Sequence, residues 1–343
     1  MITPTALRPA AIRPVSSGPV ARRHRPPPPA PLPQRAGIDP VRLRLPADPD
    51  AAWPTVRDHL VARFGAAIGA GRIDAMLREE RFVAADGPVT GREPYTPGRY
   101  VWFHRDLAAE ERVPFGIGIV YRDERIVVAD KPHFLATTPR GAHITETALA
   151  RLRRGLDLPE LQPAHRLDRL TAGLVLFVVR AGDRGAYQTL FRDRAVRKEY
   201  EGVAAYDPDV ALPVTVRGRI EKERGTLAAR EVPGEPNSES RIELLEHRGG
   251  LGRYRLLPAT GRTHQLRVHM NGLGLPLLND PLYPVVREDS PEDYAHPLQL
   301  LAKKLEFTDP VTGEPLRFTS GLRLVHRPGR SDSPAPQVTH RPG

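Results

Sequence analysis

The 343-residue sequence contains no cysteine. That excludes a disulfide framework, thiolate zinc sites and cysteine nucleophiles, and it fits a reducing cytoplasm. No stretch approaches the roughly 18–20 uninterrupted apolar residues that a membrane span requires. Gly116-Ile117-Gly118 has no third glycine and no helix after it, so it does not make a dinucleotide-binding turn. Neither a P-loop nor a Gly-x-Ser-x-Gly elbow occurs. His264 and His269 are five apart, which puts them on different faces of a helix, and no other His, Asp and Glu grouping has ligand spacing. An enzyme with this sequence is expected to work without metal or cofactor.

Acidic residues are missing from positions 1–36, which hold six arginines and ten prolines. Removing those six charges from the net +10 leaves only +4 for residues 37–343. The folded part is therefore mildly basic, and much of the affinity for polyanions that the charge implies belongs to the arm. Proline density forbids the amphipathic helix of a transit peptide and predicts a disordered arm over 1–36. A second Pro-, Gly-, Ser- and Arg-rich segment, 327–343, reads as a disordered tail.

Two blocks lie between the tails. In 37–112, Trp53, Val56, Leu60, Val61 and Phe64 recur at helical spacing within 53–79. Two β-like runs follow, Arg81–Ala85 and Arg99–Arg105, with turn signals at Asp86-Gly87 and Pro97-Gly98. This small accessory domain weakly resembles the S4 RNA-binding module, without that module's basic helix face. In 113–326, strands are expected near 117–121, 126–129, 173–179, 199–205, 242–246, 254–257 and 298–307. Helices are expected near 145–154, 184–195 and 263–272. Strands outnumber helices and do not alternate with them, so the class is α+β with a mixed, mostly antiparallel sheet.

One run stands out: Pro163-Ala-His165-Arg166-Leu167-Asp168-Arg169-Leu170-Thr171-Ala-Gly173. A lone carboxylate sits among cationic side chains on a loop before an apolar strand. Flanking cations favour the ionised form of such a group. From residue types alone, a structural salt bridge at a loop corner is the commoner reading. Further along come Asp130-Lys131-Pro132, Lys198-Glu199-Tyr200, Gly261-Arg262-Thr263-His264-Gln265-Leu266-Arg267-Val268-His269 and Asn279-Asp280-Pro281-Leu282-Tyr283. In kind and in order these motifs resemble the RluA family of RNA pseudouridine synthases, over about residues 113–320.

The resemblance implies the pseudouridine synthase catalytic fold and an isomerase acting on structured RNA, ribosomal or transfer. It also implies that Asp168 is the nucleophile. Tyr200 would stack on the uracil and take the C5 proton, and Arg267 would pair with Asp168. Arg166 would help displace the target base. His165, Arg262 and Lys198 join it as RNA-contacting candidates, although His165 and His264 read first as structural hydrogen-bonders. No cofactor, membrane or obligate protein partner is expected, and the chain is read as a monomer. The chemistry agrees, because moving the glycosidic bond from N1 to C5 needs neither redox nor metal. A base inside a helix must be flipped out to react, at a cost of roughly a few kcal/mol.

The sequence departs from the family pattern at His133-Phe134, Pro284 and Leu301-Ala302. The rival enzyme class, a phosphatase with an aspartyl phosphate, needs a second carboxylate at the position of Leu170. The non-enzymatic alternative is an RNA-binding protein that has kept the fold and lost turnover.

Overall fold

The computed structural model describes residues 28–287 and 293–325. The first 27 residues of the expected arm and the expected tail lie outside the described residues. Two compact units form, one from Val41–Phe103 and the other from Gln34–Pro40 together with the chain from His104 onward.

The smaller unit runs β1 (Val41–Arg44), α1 (Val56–Ile68), α2 (Ala70–Arg78), β2 (Val83–Ala84), β3 (Gly87–Pro88) and β4 (Tyr100–Phe103). Its sheet has the order β1-β4-β2-β3. Helix α1 starts at a capping box: the Thr55 side chain accepts from the Asp58 amide, and the Asp58 carboxylate accepts from the Thr55 amide. The expected helical stretch over 53–79 is two helices, because Gly69 at φ 81° breaks it. Leu60, Ile73, Met76, Phe82 and Val101 fill the core between helices and sheet.

The larger unit begins with β5 (Gly118–Arg122), β6 (Ile126–Lys131), α3 (Ala148–Leu156), β7 (Gln162–Pro163), β8 (Ala172–Val178), α4 (Arg184–Arg192) and β9 (Arg197–Ala205). It continues through β10 (Val214–Glu221), β11 (Arg230–Val232), β12 (Ser238–Arg248), β13 (Leu251–Pro258), α5 (Gln265–Gly272), β14 (Leu300–Thr308) and β15 (Pro315–Thr319). The strands form one sheet in the order β11-β10-β12-β13-β9-β14-β8-β6-β5, with β15 on β14 and β7 on β8. Every pairing is antiparallel except β14 with β8.

Strand β8 is buried along its whole length, as its unbroken apolar run requires. Alternate side chains take opposite faces. Val175 and Phe177 pack with Leu149 and Leu152 of α3. Leu174, Leu176 and Val178 pack with Tyr187 of α4 and with Leu305 and Phe307. Each such side chain contributes about 1.5–3 kcal/mol on burial. The central strands are thus held between helices, and the loop entering β8 starts from a rigid base.

The single parallel pairing sets Leu301 beside Ala172 and Ala302 beside Gly173. Gly173 is obligatory here: its φ is 111°, and a Cβ would lie 2.3 Å from the Ala302 carbonyl oxygen. Next to it, the Asp130 carboxylate accepts from Ser320 Oγ at 2.6 Å and from the Gly321 amide at 2.8 Å. No helix among the described residues is long and apolar enough to cross a membrane.

Candidate active site

Asp168 lies on the loop between β7 and β8, and that loop is gripped at three residues around it. Thr137 Oγ1 donates to the Leu167 carbonyl at 2.8 Å and accepts from the Leu167 amide at 3.2 Å. The buried Lys131 Nζ donates to the Arg169 carbonyl at 3.2 Å, and also to the carbonyls of Pro132 and Leu135. His133 Nδ1 is 2.7 Å from the Leu170 carbonyl, which can only accept, so this nitrogen carries the proton. Burial pushes Lys131 down to about 7 and His133 down to about 4. With Leu167 turned into the α3 core, Asp168 is left facing a cavity, its side chain 34% exposed.

The cavity measures about 840 Å³, and Asp168 is the one carboxylate among the described residues that line it. Its wall includes Arg140, Arg166, Arg169, Lys198, Lys222 and Arg267. A polyanion is attracted to such a surface. Tyr200, on β9, borders it and packs against the cores on both sides. Burial, then the charge of Asp168, raises the Tyr200 phenol well above its ordinary range.

Of the residues expected to contact RNA, Arg166 and Arg262 have exposed side chains on the cavity wall. Arg262 Nε also donates to the Asn237 carbonyl at 3.1 Å. The other two also line the cavity, with their polar atoms engaged by the protein. His165 Nε2 accepts from the Leu176 amide at 3.1 Å, and its ring stacks on Phe191 at 4.2 Å. Burial holds it near 3, hence neutral. Lys198 Nζ donates to the Thr260 carbonyl at 3.2 Å, tying β9 to the turn before α5.

Arg267 departs from expectation. Its guanidinium does not fork onto Asp168; Nε and Nη2 donate to Asp280 at 2.7 and 2.6 Å, and both side chains are buried. The guanidinium also lies 5.3 Å from the centre of the Tyr283 ring. It borders the cavity and reaches Asp168 only as a nearby charge. The physical reason is burial, since a carboxylate already desolvated beside the guanidinium outcompetes one that still touches water. The unassigned acid within Asn279-Asp280-Pro281 was the signal in the sequence that could have found this partner.

Alternate residues of the α5 motif serve the fold. Gln265 accepts from Thr260 Oγ1 at 2.6 Å and donates to Glu239 O and Ser240 Oγ. His269 Nε2 meets Ser238 Oγ at 3.0 Å inside the core. His264, in a left-handed conformation at φ 57°, is the exception. Its Nδ1 is 3.1 Å from the Tyr283 hydroxyl, and its Nε2 lies 4.0 Å from Asp168 Oδ2. Among the described residues no group of three or more His, Asp and Glu side chains is spaced to hold a metal ion.

Comparison with known proteins returns one family. The RNA pseudouridylate synthase family model matches residues 125–272. The chain is 31% identical over 223 residues to the dual-specificity RNA pseudouridine synthase RluA of Haemophilus influenzae, covering 60% of this chain and 92% of that one. It is 33% identical over 177 residues to human pseudouridylate synthase RPUSD2, covering 49% of this chain. It spans only 31% of that human relative's length. Among solved structures, human RNA pseudouridylate synthase domain containing 1 superposes with a TM-score of 0.50 at 25% identity, over 62% of this chain and 85% of that one.

Proposed function

This chain belongs to the RluA family of RNA pseudouridine synthases, and from that premise we propose that it isomerises specific uridines in structured RNA with Asp168 as nucleophile. One observation carries the reading: Asp168 is the one carboxylate among the described residues lining a cavity walled by cations, on a loop gripped at residues 167, 169 and 170. A nucleophile must be held still, and the grip on its loop favours that. Exposed cations such as Arg166 and Arg262 suit the phosphates on either side of an extruded nucleotide. Stacking on Tyr200 offsets part of the flipping cost, by about 1–3 kcal/mol for one base. Arg267 contributes positive charge near the nucleophile while Asp280 fixes its orientation. The cysteine-free sequence suits action in the cytoplasm, and the cavity is complete within one chain, which suits a monomer.

Mapping pseudouridines in ribosomal and transfer RNA from cells with and without the gene tests the activity and finds the target. On an RNA spanning that uridine, Asp168→Asn should abolish product while leaving binding within a few-fold of wild type. Appreciable turnover by the variant would remove Asp168 from the nucleophile's role.

A further inference from the structure

The isomerisation also moves a proton, and this inference rests on the reading just given. Once C5 is joined to C1′, C5 carries both the sugar and its original hydrogen. Losing that hydrogen as a proton returns the electron pair to the ring and restores its conjugation. N1, freed from the sugar, must gain a proton, so the count balances. A base is therefore needed beside the nucleophile. The phenol of Tyr200 is a poor one, since burial and Asp168 both oppose its ionisation and it holds its proton at neutral pH.

His264 is arranged differently. The Tyr283 hydroxyl has one proton, and it donates this to the Ala229 carbonyl at 2.7 Å. Its oxygen can therefore only accept from His264, so the imidazole proton sits on Nδ1. That leaves the Nε2 lone pair aimed into the cavity, 4.0 Å from Asp168 Oδ2. Two electron-rich atoms at that spacing are too far apart for a direct hydrogen bond. Both border the cavity, where they can converge on one reacting group.

We propose that His264 is a catalytic residue whose Nε2 accepts the C5 proton and, through solvent, returns one to N1. Asp168, Arg267, Lys222 and Asp280 are the charged groups that act on this ring. Burial outweighs the attraction of Asp168 and holds the imidazole down to about 4, so the lone pair is free at neutral pH. A weak base suffices, because loss of the C5 hydrogen restores the conjugated ring. Tyr283 acts as a positioning residue that fixes the tautomer.

The test is single-turnover conversion of the target RNA carrying hydrogen or deuterium at C5, with folding and RNA binding checked separately. His264→Ala and His264→Gln should each slow product formation by about 10²-fold or more, and the slow step should become about two-fold or more sensitive to deuterium. Added imidazole should restore His264→Ala alone, because glutamine fills the space without being able to accept a proton. Full-speed variants would overturn the assignment, as would slow ones with an unchanged isotope effect and no response to imidazole. A wild-type protein that forms no pseudouridine would overturn the underlying reading and this inference with it.

Discussion

Replacing Asp280 with asparagine removes one charge from an ion pair whose side chains are 2% and 0% exposed. The amide keeps the shape but turns one acceptor oxygen into a donor facing another donor. Arg267 is then a buried cation without a counter-charge, and the loss expected for such a break is about 3–5 kcal/mol. For a unit of this size that lowers the melting temperature by roughly 6–20 °C. Arg267→Met should cost a similar amount, now by stranding the carboxylate. The double replacement Arg267→Met with Asp280→Leu removes both charges and fills the space with apolar atoms. Its stability should lie far closer to wild type than the sum of the two single losses, because desolvation is relieved together with attraction. Pseudouridine formation should not return with stability, since positive charge near Asp168 is missing. Urea unfolding and single-turnover assays on the four proteins measure both quantities. Additive losses, or single losses below about 1 kcal/mol, would show that the pair is not the desolvated bond drawn here.

Three further outcomes are expected. Gly173→Ala places a methyl against the backbone of Ala302 at a φ of 111°, so it should cost about 3 kcal/mol or more and separate β8 from β14; an unchanged urea midpoint would refute this. His133, His165, His264 and His269 are held by burial near 4, 3, 4 and 4. Because the unfolded chain takes up these protons first, the histidines' contribution to stability should be full above about pH 6.5 and fall toward pH 4, by at most about 5 kcal/mol per unit. Equal stability at pH 7 and pH 5 would contradict it. Deleting residues 1–27, with Arg8, Arg13, Arg22, Arg23 and Arg25, should flatten the salt dependence of RNA binding by up to about 4 in log-log slope. A changed target uridine would give the arm a role in selection, against its reading as a source of affinity alone.

The parts legible in the sequence were those where local pattern and burial agree. Strand β8 was readable because it is apolar at every position, and α4 because its apolar residues keep helical spacing. Strand β10 was not, because Arg217, Arg219 and Glu221 occupy one face and its other face is only partly buried. Strand β15 was lost for the same reason. The helical pattern over 53–79 ran through Gly69, where a backbone angle rather than a side chain decides the break. At the site, residue types placed Asp168 on a loop before β8 but favoured a salt bridge there, and its proposed role came from the resemblance to the family. The partner of Arg267 could not, because several carboxylates compete for one guanidinium and relative burial is invisible in a sequence. His264 was read as a hydrogen-bonder, which it is toward Tyr283; its second nitrogen acquires meaning only from its distance to Asp168.

The grip of Ser320 and Gly321 on Asp130, about 190 residues away along the chain, and the pairing of Ala302 with Gly173, have a consequence during synthesis. A ribosome delivers the loop of Asp168 long before it delivers the strand that braces it. A nascent chain that ends before residue 302 holds Asp168, Tyr200 and Arg267, yet has an open seam where β14 belongs. Competence should therefore arrive abruptly, and released chains truncated at stepwise later positions should pass from inert to active over the few tens of residues that add β14 and β15.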